Sequence, residues 1–196
     1  MNAGDLKANG YYLFQYYTTG WNLLNPTLTG TADIAVGAVG NAAVAAGAVV
    51  QVVTTQTGTV ATGTTVVPND DTIPQNTEGD EYITLAITPK SATNKLVVEV
   101  VCPMAISAAT LHAIGSIFQD STAGALASVM YFIGSANTIE PFVVRHTMTA
   151  GTTSATTFKF RAGPESAATM TVNGISGARK LGGVSAATMT ITEYKA

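Results

Sequence analysis

The tightest constraint on this chain is the alternation between residues 81 and 101, in the run EYITLAITPKSATNKLVVEVV. Ile83, Leu85 and Ile87 fall on one side of an extended segment, with Tyr82, Thr84, Ala86 and Thr88 on the other. That is the period of a strand with one face in a core. Beyond Pro89 and the polar SATN turn, Leu96, Val98 and Val100 resume the pattern against Lys95, Val97, Glu99 and Val101. Proline fixes its own φ and lacks a donor, while Ser91, Thr93 and Asn94 suit turn conformations, so a strand, a turn and a second strand are predicted. The connection fits either a hairpin or a crossing between two sheets.

Composition agrees with an all-β chain. Charged residues are 11% of the 196 residues, against roughly 25% in ordinary soluble domains. Thr, Ala, Ser and Gly fill the deficit, and β-branched Thr favours strands over helices. Such a surface suits an assembly partly covered by partner chains. The net charge is -3 and there is no basic run, so a phosphate backbone finds little to hold and no nucleic-acid partner is expected.

The N-terminal part reads differently from the rest. Residues 11–24, YYLFQYYTTGWNLL, hold four of the seven tyrosines and the single tryptophan. They read as two short strand-like pieces joined by a turn, and Tyr11, Phe14, Tyr16 and Trp21 are candidates for attachment to a neighbouring subunit or a larger particle. Residues 27–50 are rich in Ala, Gly and Val, and their small side chains let backbones approach closely, as in a stalk packed around a symmetry axis. Residues 34–53 approach the length of a membrane span but contain Asn41 and Gln51 and are built largely of Ala and Gly, so no membrane insertion is expected. Residues 1–48 are therefore assigned to an irregular aromatic arm and connector, and 49–196 to a β domain. No leader of the secretory type is expected at the N-terminus.

Within the β domain, strands are predicted at 49–57, 82–88, 95–102, 110–118, 126–133, 138–148, 156–161, 169–172 and 187–194. Pro103 is expected to end the third of these, and Pro141 to mark an edge or a bulge. In TTFKFR, Phe158 and Phe160 should face the core, and Lys159 and Arg161 should face outward. Short strands at regular spacing without helical patterns predict a two-sheet antiparallel sandwich, with a jelly roll as the expected topology and an immunoglobulin-like arrangement as the alternative.

Sites of chemistry are sparse. His112 and His146 lie in strand-like runs without HExxH or CxxC spacing, so structural roles are expected and no metal site is assigned. Cys102 has no partner cysteine in the chain and reads as a small buried hydrophobe. Asp70, Asp71, Glu78, Asp80 and Glu81 lack the spacing of a calcium loop and read as a solvated loop. No GxSxG elbow or phosphate-cradling loop is present, so neither an enzyme nor a cofactor is expected.

Four phrases carry a family resemblance: VVQVV from Val49, ITPKSATNKLVVEV from Ile87, GTTSATTFKFRAG from Gly151 and GARKLGGVSAATMTITEYK from Gly177. Together with GWNLLNPTLTG from Gly20, they resemble the distal β domain of phage tail fibres, tail spikes and related trimeric virion proteins. The resemblance implies a homotrimer of jelly-roll domains located in the virion, contacting other virion proteins and a host surface glycan or protein receptor, without catalysis. A head-bound fibre, decoration or stabilising protein is the alternative, since the arm before Val49 is short for a long fibre. In the final phrase Arg179 offers a planar fork for carboxylates or carbonyls at a subunit boundary. Shallow polar patches are expected on the loops after Phe118, Ile133 and Val172.

Overall fold

The computed structural model describes the strand backbones Phe14–Tyr17 and Gly20–Leu23 and all of residues 45–196. The chain divides into two units, Met1–Ala43 and Val44–Ala196. In the first, β1 (Phe14–Tyr17) pairs antiparallel with β2 (Gly20–Leu23), and Tyr16 is opposite Trp21. The two strand-like pieces expected there are present. Most of the Ala/Gly/Val passage lies outside the described residues.

The second unit is an antiparallel β-sandwich. One sheet contains β3 (Val49–Thr57), β6 (Lys95–Ile106), β9 (Glu140–Thr149) and β14 (Ala187–Tyr194) in the order β3-β14-β6-β9. Short strands β4 (Ala61–Gly63) and β11 (Met170–Val172) extend it at the far end of β6. The facing sheet contains β5 (Asp80–Ile87), β7 (Leu111–Gln119), β8 (Ala127–Ile133) and β10 (Thr156–Pro164) in the order β5-β10-β7-β8. A two-residue pair, β12 (Gly174–Ile175) with β13 (Ala178–Arg179), sits in the last long loop. The turn after Pro89 thus links two sheets and does not close a hairpin.

Alternation determines which side chains enter the core. Leu96, Val98, Val100 and Cys102 of β6 and Met189 and Ile191 of β14 meet Phe158 and Phe160 of β10, all fully buried. Lys159 and Arg161 lie on the opposite face, paired with Glu81. Phe142 of β9 bridges the sheets, its ring centroid 5.9 Å from that of Phe160 and 5.8 Å from that of Tyr131, both edge-on. Edge-on aromatic pairs at this spacing add to the burial of their area. Gly115 of β7 lies beneath these rings, and a Cβ there would come within 2.9 Å of Phe160. Only glycine fits that approach. Cys102 behaves as the buried hydrophobe expected, and burial pushes its thiol up to about 12.

Pro103 does not end β6, which continues to Ile106. Thr188 of β14 pairs with Val101, and the next partner on that side, Val172 of β11, pairs with Met104. Pro103 falls in the gap between them, where no ladder donor is required, and its carbonyl accepts the Asn173 N–H at 3.0 Å. On the other side it faces Pro141, which is exposed on the edge strand β9 as expected.

The acidic loop also differs from expectation. Residues 64–79 form a strap over the outer face of the four-stranded sheet, anchored by Val67 N–H to Pro164 O at 3.0 Å and by Asn76 N–H to Ala123 O at 2.7 Å. Ile114, Ser116 and Phe118 on the outward face of β7 are buried as a result. Each carboxylate of this region except Asp71 has its own partner: Asp70 holds Thr72, Glu78 holds the Gln75 N–H, Asp80 holds Thr65 and Glu81 pairs with Lys159 and Arg161. Among the described residues no group of histidines, cysteines or carboxylates is arranged to hold a metal, and no helix is long and apolar enough to cross a membrane.

Candidate functional site

Because the chain reverses direction after each long strand, the loops sort to two ends. The near end carries the turns at 88–94, 120–126 and 150–155, together with the start of β3 and the C-terminus. The far end carries the loops at 58–63, 107–110, 134–139 and 165–186.

A buried acid organises the near end. Glu193 is fully buried on the inward side of β14, at the position that alternation gives it after Met189 and Ile191. Its oxygens accept from Gln51 Nε2 at 2.6 Å, Asn94 Nδ2 at 2.6 Å, Lys90 N–H at 2.8 Å and Ser91 N–H at 3.3 Å. A buried carboxylate requires such a set of donors. The knot ties the turn after β5 to β3 and to the C-terminus, where Ala196 N–H reaches Asn94 Oδ1 at 3.3 Å. This is structural machinery. Sequence reading passed over it, although an acid on the apolar phase of ATMTITEY is the signal that would have revealed it.

The far end is organised around strained loop residues. Thr110, Asn137, Asn173, Ser176 and Leu181 have φ between 49° and 61°, and of the non-glycine residues in this region of φ only Asp120 lies at the near end. Left-handed backbone is costly for residues with a Cβ and is retained where surrounding contacts impose it. Asn173 is fully buried, and its Nδ2 donates to Thr57 O at 2.8 Å and Thr59 O at 2.9 Å. Ser176 Oγ meets Asn137 Oδ1 at 2.9 Å, and Asn137 N–H donates to Ile106 O at 2.7 Å. The loops after Ile133 and Val172 therefore form one surface. The loop after Phe118 does not join them; it lies at the near end, where Asp120 accepts from Thr156 and Thr157 at 2.8 Å.

Arg179 is exposed in β13 and lines an open groove of about 570 Å³ with Gly58, Thr59, Val60, Gly182 and Gly183. Its side chain lies against Gly183, where a Cβ would come within 3.0 Å of it. Leu181 and Val184 beside it are 73% and 83% exposed. Phe14, Tyr16 and Trp21 lie in the β1–β2 pair of the other unit, and Tyr11 lies outside the described residues.

At the far end of β7, His112 Nδ1 is 3.0 Å from Glu165 Oε2, and the His112 N–H donates to Glu165 Oε1 at 2.8 Å. The Asn69 amide donates to Glu165 Oε2 at 2.6 Å. That amide, followed by the His112 N–H, holds the Glu165 carboxyl below the usual carboxylate range. The cluster closes the strap onto β7 and gives His112 a structural role. His146, half-buried on β9, is held below the usual imidazole range by burial.

No protein-family model matches the chain, and no curated protein matches it in sequence. Among solved structures it is similar to that of infectious bursal disease virus, Gx strain, at 12% identity and a TM-score of 0.36, over 94% of this chain and 46% of that one. It is also similar to a mutant VP2 protein of infectious bursal disease virus in derived T=1 particles, at 12% identity and a TM-score of 0.34, over 94% and 44%. The chain spans less than half the length of both, and a likeness at these scores carries neither fold nor function to it.

Proposed function

We propose that this chain is a phage virion structural protein of the tail-fibre or short-spike kind, a homotrimer whose jelly-roll domains contribute to host-cell attachment through their far ends. The jelly-roll reading rests on strand pairing. β3 pairs with β14, β5 with β10, β6 with β9 and β7 with β8. Those are the pairs of one long hairpin wrapped into two sheets, the arrangement of a double Greek key. The resemblance of the four sequence phrases to fibre-tip domains supplies the virion context.

The observation that carries the attachment reading is the contrast between the ends. The chain enters at the near end through residues 45–48, which pair with Lys195, so the loops at 134–139 and 165–186 point away from the arm's point of entry into the domain. They combine polar side chains with exposed Leu181 and Val184 and include left-handed residues, which suits recognition loops on a rigid scaffold. Trimerisation is supported by the outer face of the six-stranded sheet. There Val52, Val101 and Val143 are 55%, 41% and 49% exposed, and the charged side chains on the same face are Lys95, Glu99 and Arg145. A flat face of this kind is suited to subunit contact.

The test is competition. Full-length protein at the mass of a trimer should bind susceptible cells and block infection by intact particles. Incorporation into particles without any competition would assign the chain to virion architecture instead.

A further inference from the structure

A second feature lies on the side of the sandwich, between the strap and β8. Two cavities of about 310 and 220 Å³ share Asp70, Thr72, Pro74 and Ser128, so they form one continuous groove. Its combined size falls in the range of small-molecule sites. Ile114 and Met130 give it an apolar floor, and Asn69 and Asp70 a polar rim.

The outward side of β8 continues this floor. Met130 is 57% exposed, and two residues on, about 7 Å along a strand, Phe132 is 58% exposed. The Phe132 ring leans on His112 at 5.4 Å between centroids with an interplanar angle of 60°. His112 is itself fixed by Glu165, which Asn69 also grips. A large, half-exposed aromatic ring is therefore held in one orientation beside a groove whose rim presents acceptors.

The acceptors are prepared for use. Both bonds that Asp70 makes within the strap, from the Thr72 N–H and hydroxyl, go to Oδ1. Oδ2 has no partner among the described residues. The Thr72 hydroxyl, followed by its N–H, holds the Asp70 carboxyl below its usual value, so the acceptor is ionised at neutral and mildly acidic pH. Asn69 donates through Nδ2 alone, and its Oδ1 likewise has no partner among the described residues. No lysine or arginine lines either cavity, whereas Asp70 and Asp71 do and Glu165 is adjacent.

We propose that this groove is a carbohydrate subsite that takes a neutral pyranose, with Phe132 and Met130 under the C–H face of the ring and Asp70 and Asn69 accepting from its hydroxyls. A pyranose presents this combination, one apolar face and a rim of donors, and a fixed aromatic ring beside open acceptors is its complement. The acidic rim without a cation disfavours uronic acids and phosphorylated sugars by like-charge repulsion. The proposal rests on the attachment reading for its biological use, but its chemistry stands apart from it.

The experiment is saturation-transfer NMR on the full-length protein with the methyl glycosides of galactose, glucose, mannose, N-acetylglucosamine and rhamnose, and with glucuronic and galacturonic acids. At least one neutral glycoside should receive saturation at its ring protons, with both acids bound more weakly. Phe132→Ala and Asp70→Asn should each weaken that binding about tenfold or more, while Phe132→Tyr retains it. Should Phe132→Ala melt lower than the parent, the surface substitution Asp70→Asn decides. Silence from every neutral glycoside, preference for the acids, or binding indifferent to both substitutions would overturn the subsite. Cell binding by the same proteins separates the two ideas. Sugar binding without cell binding retains the groove and removes attachment, and cell binding that survives both substitutions retains attachment and removes the groove.

Discussion

The two ends of the sandwich solve the problem of connecting strands in different ways. At the near end a single buried carboxylate, Glu193, gathers donors from Gln51 of β3 and from Lys90, Ser91 and Asn94 of the turn at 88–94. The far end is held by side-chain bonds from Asn173 and Ser176, with left-handed residues at intervals and the large apolar side chains Leu181 and Val184 left exposed. One end is built so that its loops cannot vary without loss of the knot, and the other so that exposed positions vary on a fixed frame. On the reading proposed above, that difference suits the first end to stability and the second to recognition.

The largest effect should come from what the ends share. Phe160→Ala removes a ring packed against Phe142 and Gly115, and is expected to cost about 3 to 5 kcal/mol by denaturant titration. An unchanged melting curve would mean that the register of β10 is wrong. Glu193→Ala comes next. It strands the Lys90 and Ser91 N–H groups and the Asn94 amide in a buried site, an expected loss of about 3 kcal/mol. Hydrogen exchange should show those amides opening while Asn173 and its neighbours stay protected. If far-end protection falls equally, the ends are not independent and the comparison fails.

Arg179→Ala should behave in the opposite way to Glu193→Ala. Its guanidinium is exposed and has no ion-pair partner among the described residues, so stability should change by less than about 0.5 kcal/mol. Binding or assembly should respond if the far-end groove is used. The smallest effect is with pH. The folded value of Glu165 is depressed, so its contribution is complete above the unfolded carboxylate range and is lost as pH falls through the lower folded value. Glu165→Gln should flatten that acid limb of the melting temperature and leave the neutral plateau slightly lower. His146, also depressed, contributes above about pH 6.5 and loses that contribution as pH falls through its folded value.

Much of the fold was legible because alternation is local. The inward residues of β5, β10 and β14 follow from counting by two, and the same count places Glu193 inside. What alternation cannot show is which strand lies next door. Pro103 survives within β6 because the β14 pairing stops at Val101 and the β11 pairing starts at Met104, a fact about partners that no window around Pro103 contains. The strap, residues 64–79, has no strand or helix periodicity, and its anchors are single residues such as buried Val67 and the backbone bond of Asn76. The grouping of loops failed for a similar reason. Each long strand carries the chain to the opposite end, so the loop after Phe118, a hairpin between β7 and β8, sits opposite those after Ile133 and Val172. Arg179 was legible as a planar fork between glycines, whereas its exposure and the pairing of Phe132 with His112 required the structure, the latter through the register of β7 and β8.

The central claim is that host recognition belongs to the far end, and Cys102, buried and unreactive, allows it to be tested directly. A thiol introduced at exposed Ser135 by Ser135→Cys, or at exposed Thr153 of the near-end turn by Thr153→Cys, can be coupled to one bulky polymer, and binding of the full-length protein to susceptible cells measured for both. Polymer at Ser135 should abolish binding while polymer at Thr153 leaves it intact. Equal binding by the two conjugates, or loss at Thr153 alone, would contradict the account.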